Sequence, residues 1–195
     1  MSSLTTKKAI SYALKDLLKE RPFNKITVND IAKNCNINRQ TFYYHFIDKE
    51  DLIEWICKEE MSGVLEKQKE DIPWQEKFLA VFMLMQKEKV FVTNIYHSVS
   101  LEILRQNLYR LVYPIIYKEI DKISKADNLL EQDKVFITDF YKYAFVAIVL
   151  EWIKNDMVEE PQIIVDKVSN LVTGTIKHAC IALKYNIKSN FFCED

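Results

Sequence analysis

Glycine is nearly absent from this 195-residue chain: only Gly63 and Gly174 occur, with four prolines. So few breakers favour long helices over tight turns, and no β-hairpin dipeptide or period-two stretch is present. Two glycines cannot build a Gly-rich phosphate loop, so P-loop and dinucleotide-binding readings fall away. The four cysteines, Cys35, Cys57, Cys180 and Cys193, form no CxxC pair. That spacing argues against a disulfide framework and a zinc site, and no metal or cofactor is expected. No long apolar run opens the chain, and the richest one, Tyr143 to Ile153, is interrupted by Glu151 and too short to span a bilayer. A cytoplasmic protein without a membrane segment is expected. No Ser-His-Asp or Cys-His spacing points to an enzyme, and His97 and His178 are isolated.

Hydrophobic residues at 49% and charged residues at 28% describe an ordinary folded chain. The net charge of −1 hides an asymmetry. Residues 1–49 hold nine Lys/Arg against four acids, a balance of +5, while residues 50–195 balance at −6. A basic head on an acidic body suits a molecule that meets a polyanion at one end.

Helical periodicity runs throughout. The first helix is expected from Ser3 to Glu20, with Ile10, Ala13, Leu14, Leu17 and Leu18 as its buried stripe and Arg21-Pro22 as its stop. Thr27, with Asp30 three residues on, reads as a capping box opening a short helix, Val28 to Asn34. Cys35-Asn36-Ile37 forms a turn in which Asn36 tolerates the left-handed conformation. Asn38 caps a third helix, Arg39 to His45, and Asp48 a fourth that continues to Gln68. Further helices are expected over Trp74–Lys87, Lys89–His97, Ser100–Ser124 (kinked or divided at Pro114), Glu131–Asn155 and Pro161–Ile187, before a frayed tail from Lys188.

Two short helices joined by a tight turn form a helix-turn-helix, and the second is unusual for a structural helix. Phe42 and Phe46 suffice to anchor it, while Arg39, Gln40, Thr41, Tyr43, Tyr44 and His45 all carry hydrogen-bonding groups. Base edges and phosphates require such a set. Arg39 and Gln40 sit at the helix N-terminus, which enters the major groove, with Thr41 beside them. Asn38 joins the same surface. Tyr43, Tyr44 and His45 lie later, where phosphates are reached. Thr27 and Lys49 sit at helix N-termini, which favour phosphate.

The string Thr27, Ile31-Ala32, Ile37, Thr41-Phe42-Tyr43-Tyr44-His45-Phe46, Lys49 and Asp51-Leu52 resembles the TetR family of bacterial regulators. The resemblance covers residues 5–56 and implies an all-α protein that is not an enzyme. It implies a three-helix DNA-binding head over residues 1–47 and a helical regulatory and dimerisation body over residues 48–195. In the family, positions matching Thr27, Tyr43, His45 and Lys49 commonly hold phosphates. Cys35-Asn36 replaces the usual Ala-Gly, and Gln40 stands where glycine is frequent, which adds a possible base contact. Asn38 to Phe46, followed by Trp55-Ile56, is similar to the branch that activates dihydroxyacetone kinase operons in Gram-positive bacteria. That similarity implies an activator of a double-stranded operator, working with a dihydroxyacetone-binding, kinase-like coregulator protein.

In the body, Ile164, Val168, Leu171, Val172, Thr175, Ile176, Ala179 and Leu183 keep three–four spacing, and the preceding helix is apolar nearly all round. A helix buried on every side needs partners on both faces, so a homodimer formed through a four-helix bundle is expected, against the alternative of an intramolecular core. Tyr96, Arg105, Tyr113 and Trp152, with His97, Tyr109 and Tyr117 nearby, either line an effector pocket or simply pack the core. Glu59, Glu60, Glu66, Glu70 and Asp71 read as a solvated face. Two competing readings remain: a small-molecule-responsive repressor with a pocket in the body, and a helical adaptor or enzyme with an idle head. A closed cavity of a few hundred Å3 would favour the small-molecule reading.

Overall fold

The computed structural model describes residues 3–65, 72–98, 101–125 and 128–185. Expected features at Glu66, Gln68, Glu70, Asp71, Ser100, Ile187 and Cys193, and along the tail from Lys188, lie outside these residues.

Ten α-helices make up the regular structure of the described residues, with one 3-10 turn. They are α1 (Ser3–Glu20), α2 (Val28–Asn34), α3 (Arg39–His45), α4 (Lys49–Leu65), α5 (Trp74–Lys87), α6 (Lys89–Ser98), α7 (Leu101–Ser124), α8 (Glu131–Lys154), α9 (Pro161–Val172) and α10 (Thr175–Lys184). No helix among them is long and apolar enough to cross a membrane.

Helices α1 to α3 close on the expected residues. Ile10, Leu14, Ile31 and Phe42 are fully buried, and Phe46 is nearly so. Helices α2 and α3 are too short to hold their shape alone, so this shared apolar contact stabilises them. Asn36 adopts φ 55, the left-handed turn the sequence suggested. Helix α4 begins under the head with Leu52, Ile53 and Ile56 buried, and continues into the body.

Body helices α7 and α8 form an extensive antiparallel pair. Phe78 of α5 stacks on Phe145 of α8 at 4.4 Å, with Trp74 edge-on to both. Two boundaries differ from expectation. Pro114 does not divide α7, which runs unbroken to Ser124. Buried Val112, Ile115 and Ile116 hold both sides of the proline in the core and offset the lost backbone hydrogen bond. The expected last helix is broken instead at Gly174, whose φ of 85 starts α10 in a new direction. A side chain at that φ would be strained, so glycine serves a backbone need here.

Candidate nucleic-acid interface

Local hydrogen bonds build the head. The Thr27 hydroxyl accepts from the Asp30 backbone N–H at 3.2 Å, while the Asp30 carboxylate accepts from the Thr27 N–H at 2.8 Å. The Thr27 hydroxyl also donates to that carboxylate at 2.7 Å. Hydrogen bonds from the Thr27 backbone and then its side chain hold the Asp30 carboxyl below its ordinary range. The Asn38 carboxamide oxygen accepts from the Thr41 backbone N–H at 2.7 Å and its hydroxyl at 2.9 Å. Asp48 caps α4 through the Asp51 N–H at 2.7 Å.

With Phe42 and Phe46 turned inward, α3 presents its polar residues outward. Arg39, Gln40, Tyr43 and Tyr44 are exposed, and Thr41 and His45 are half-buried. Tyr44 reaches 83% exposure. Arg39 lies along the helix, donating to the Tyr43 hydroxyl at 3.1 Å with its guanidinium 5.3 Å from that ring. Ile47, outside the expected set, is 81% exposed between the buried Phe46 and the cap Asp48. Its position between an anchor and a cap was the only signal.

Lys49 departs from expectation. Its ammonium does not project outward from the α4 N-terminus; it donates to the carbonyls of Ile26 at 2.6 Å and Phe23 at 3.2 Å, over the Phe23 ring. Those carbonyls lie where the chain passes from α1 to α2 and are buried from water, so they draw in the nearest cation. Other head cations also turn toward the protein. Lys8 pairs with Glu59, Arg21 with Asp30, and Lys15 with both Glu60 and Glu88. Part of the basic surplus of residues 1–49 therefore holds the head to the body.

The expected effector residues do not converge. Tyr96 meets His97 edge-on, Arg105 pairs with Glu102, Tyr113 stacks on Tyr117, and Trp152 is buried against Phe82 with its N–H on the Glu159 carbonyl at 2.8 Å. A cavity of about 540 Å3 does exist in the body, but none of these four lines it. Its wall is mainly apolar, including Met85, Phe91, Ile95, Leu104 and Leu108, with Glu54, Cys57, Lys58, Glu60, Glu88, Asn107 and Arg110 as polar groups. Polar-aromatic composition is a poor guide because Tyr96, Tyr113 and Trp152 pack on neighbouring rings away from the cavity. A usable signal was Lys15: it falls three to four residues from Ser11 and Leu18, on the buried face of α1.

The expected dimer stripe divides between two faces. Ile164, Val168, Val172 and Ile176 are buried within the single chain. Leu171, Thr175 and Leu183 are exposed and Ala179 is half-buried. Three–four spacing marks a buried stripe but not the partner that buries it. Helix α8 supplies a second exposed apolar row, Phe136, Phe140, Tyr143 and Ile148. Its Tyr141 hydroxyl lies 2.9 Å from that of Thr175, which places α8 beside α10.

Comparison with known proteins places these features in a family. Residues 12–56 match the model of bacterial regulatory proteins of the tetR family, and residues 73–174 match that of a transcriptional regulator C-terminal region. Over 94 residues the chain is 30% identical to the HTH-type dhaKLM operon transcriptional activator DhaS of Lactococcus lactis, a match covering 48% of this chain and 50% of that protein. It is 33% identical over 67 residues to the HTH-type transcriptional regulator UidR of Escherichia coli K12, covering 34% of each. The matches thus span about half the length of these curated relatives, or less. Two solved structures share the fold. One, titled dihydroxyacetone kinase operon activator DhaS, has a TM-score of 0.71 at 24% identity, over 90% of this chain and 98% of that one. The other, a TetR transcriptional regulator from Streptococcus agalactiae, has a TM-score of 0.57 at 22% identity, over 89% and 94%. A capped helix-turn-helix on a helical body, matched by the C-terminal model over more than half of its residues, makes this chain a member of the TetR family of bacterial regulatory proteins.

Proposed function

We propose that this protein binds a double-stranded DNA operator as a homodimer in the cytoplasm and activates transcription of a dihydroxyacetone kinase operon. The observation that carries the DNA reading is the exposed start of α3: Arg39 and Gln40 face solvent while Phe42 and Phe46 fix the helix from behind. Arginine can bond guanine, and glutamine adenine, through two contacts each in the major groove. Thr41 lies beside them, and Thr27, Asn38, Tyr43, Tyr44 and His45 surround them as backbone contacts.

The head is assigned to residues 1–47 and the body to residues 48–195, with α4 joining them. Dimerisation is assigned to the exposed row on α8 together with Leu171, Thr175, Ala179 and Leu183. An exposed apolar surface of this extent calls for a partner, and a two-fold dimer spaces two recognition helices for half-sites about 34 Å apart. Similarity to an operon activator supports the operon and the sign of regulation. It also supports a dihydroxyacetone-binding, kinase-like protein as coregulator. The cavity in the body favours a second reading, a regulator that releases DNA on binding a small molecule.

Selection of bound duplexes from a randomised pool, followed by in vitro transcription from the promoter of the dihydroxyacetone kinase genes with and without the coregulator, tests the assignment. Recovery of a two-fold site and coregulator-dependent transcription are expected. Failure to enrich any sequence would overturn it.

A further inference from the structure

Ile47 is the most exposed aliphatic side chain among the described residues of the head, at 81% where the next, Leu4, stands at 49%. Its backbone is fixed on both sides. Phe46, before it, is buried and takes extended dihedrals, φ −141 and ψ 138. The Ile47 N–H donates to the Asp51 carboxylate at 2.9 Å, and the Asp51 N–H donates to Asp48 at 2.7 Å. Successive side chains of an extended segment point to opposite sides, so the inward ring of Phe46 sends Ile47 away from the core. Gln40 and Tyr44 lie one turn apart on the side of α3 opposite Phe42, and both are exposed. Ile47 continues that outer surface of α3 past its C-terminus.

Charge and groove chemistry select what covers this side chain. The turn of residues 47–51 carries three acids, Asp48, Glu50 and Asp51. Against them stand Lys49, whose ammonium is taken up by the Ile26 and Phe23 carbonyls, and Lys7, which lies over the Phe46 and Trp55 rings. Asp48 also occupies the Asp51 N–H at the start of α4, where a phosphate would otherwise sit. The turn is thus a poor seat for the sugar-phosphate strand. In the major groove the one apolar group is the C5 methyl of thymine. An isoleucine set against it removes both surfaces from water. By chain length Ile47 stands roughly 13 Å from Arg39, about four base steps along the duplex.

We infer that Ile47 is a specificity-determining residue of the DNA interface, which reads by apolar contact the methyl group of a thymine within about four base pairs of the base bonded by Arg39. This rests on the DNA-binding reading and not on the coregulator. It extends base recognition from the polar start of α3 to the turn beyond its end, and it favours thymine over any base that lacks the C5 methyl.

The test uses the full-length protein and the duplex selected from the randomised pool, with each thymine replaced in turn by deoxyuridine in both half-sites. That replacement deletes only the methyl. In anisotropy titrations wild type is expected to lose about tenfold in affinity at one such position, from one methyl-sized group buried in each of two half-sites. Ile47→Ala is expected to bind the unmodified duplex about tenfold more weakly and to be indifferent, within about twofold, to deoxyuridine at that position, while responding like wild type at the others. Ile47→Val should keep part of the discrimination. Thr41→Ser, which removes a methyl nearer the start of α3, should leave the discrimination at that thymine intact. Thermal unfolding of Ile47→Ala should match wild type, because the side chain is exposed, so lost binding is not a lost fold. Survival of every thymine effect in Ile47→Ala would overturn the inference. Equal weakening of Ile47→Ala on all duplexes would place the contact on a sugar, and unchanged affinity would assign the side chain to a protein partner; either also overturns it. In those three outcomes the selected duplex is still bound and the regulator reading stands. Failure to bind any duplex removes that reading, and this inference with it.

Discussion

The ammonium of Lys49 donates a 2.6 Å hydrogen bond to the carbonyl of Ile26, tying the first turn of α4 to the entrance of α2. A second bond to Phe23 and the face of its ring complete a tie across the base of the head. In this structure Lys49, a residue expected at a phosphate, orients the helix pair.

Lys49→Met should therefore destabilise the protein by about 1–2 kcal/mol, the cost of losing charge-assisted bonds to buried carbonyls. Urea denaturation measures this. The salt slope of DNA binding should stay within a few tenths of the wild-type value, because no phosphate contact is lost. A fall of about one charge would return Lys49 to the DNA backbone.

Arg39→Ala and Gln40→Ala should each cost about 1–3 kcal/mol in operator binding and relax selectivity at one base pair. Arg39 has to leave Tyr43 to reach a base edge, so Tyr43→Phe should change affinity less than Arg39→Ala while keeping the ring. Gel shifts across single-base operator variants separate these effects.

The capping box predicts an acid-sensitive head. The folded carboxyl of Asp30 titrates below its ordinary value of 3.8 because the Thr27 backbone and side chain hydrogen-bond to its ionised form. That stabilisation is complete above the unfolded value and is lost as pH falls through the folded one. Thr27→Val removes the hydroxyl bonds, so its thermal unfolding should lose less stability between pH 5 and pH 2 than wild type does. At neutral pH, Thr27→Ala should cost about 1 kcal/mol, the usual effect of removing an N-cap.

Phe140 and Ile164 should behave oppositely. Phe140 is 62% exposed on α8, whereas Ile164 is buried in the protomer. Phe140→Glu should shift sedimentation toward monomer with the fold intact. Ile164→Ala should lower stability by about 2–4 kcal/mol, the range for opening a core cavity, before any change in association. Monomerisation by Ile164→Ala alone would reverse the assignment.

Local chemistry made the head legible in the sequence. Caps at Thr27, Asn38 and Asp48, the left-handed Asn36 and the anchors Phe42 and Phe46 act over three or four residues, within reach of pattern alone. The same holds for most helix boundaries and for the buried stripe of α1. Tertiary packing decided what each stripe faces: Val172 turns inward while Leu171 stays exposed. It also decided where charges go, sending Lys49 to two carbonyls and Lys15 to carboxylates 45 and 73 residues away. Spacing along a helix specifies which side chains share a face. Only the arrangement of helices specifies the group opposite, because an ammonium or a methyl group is drawn to whatever the fold brings within a few ångströms.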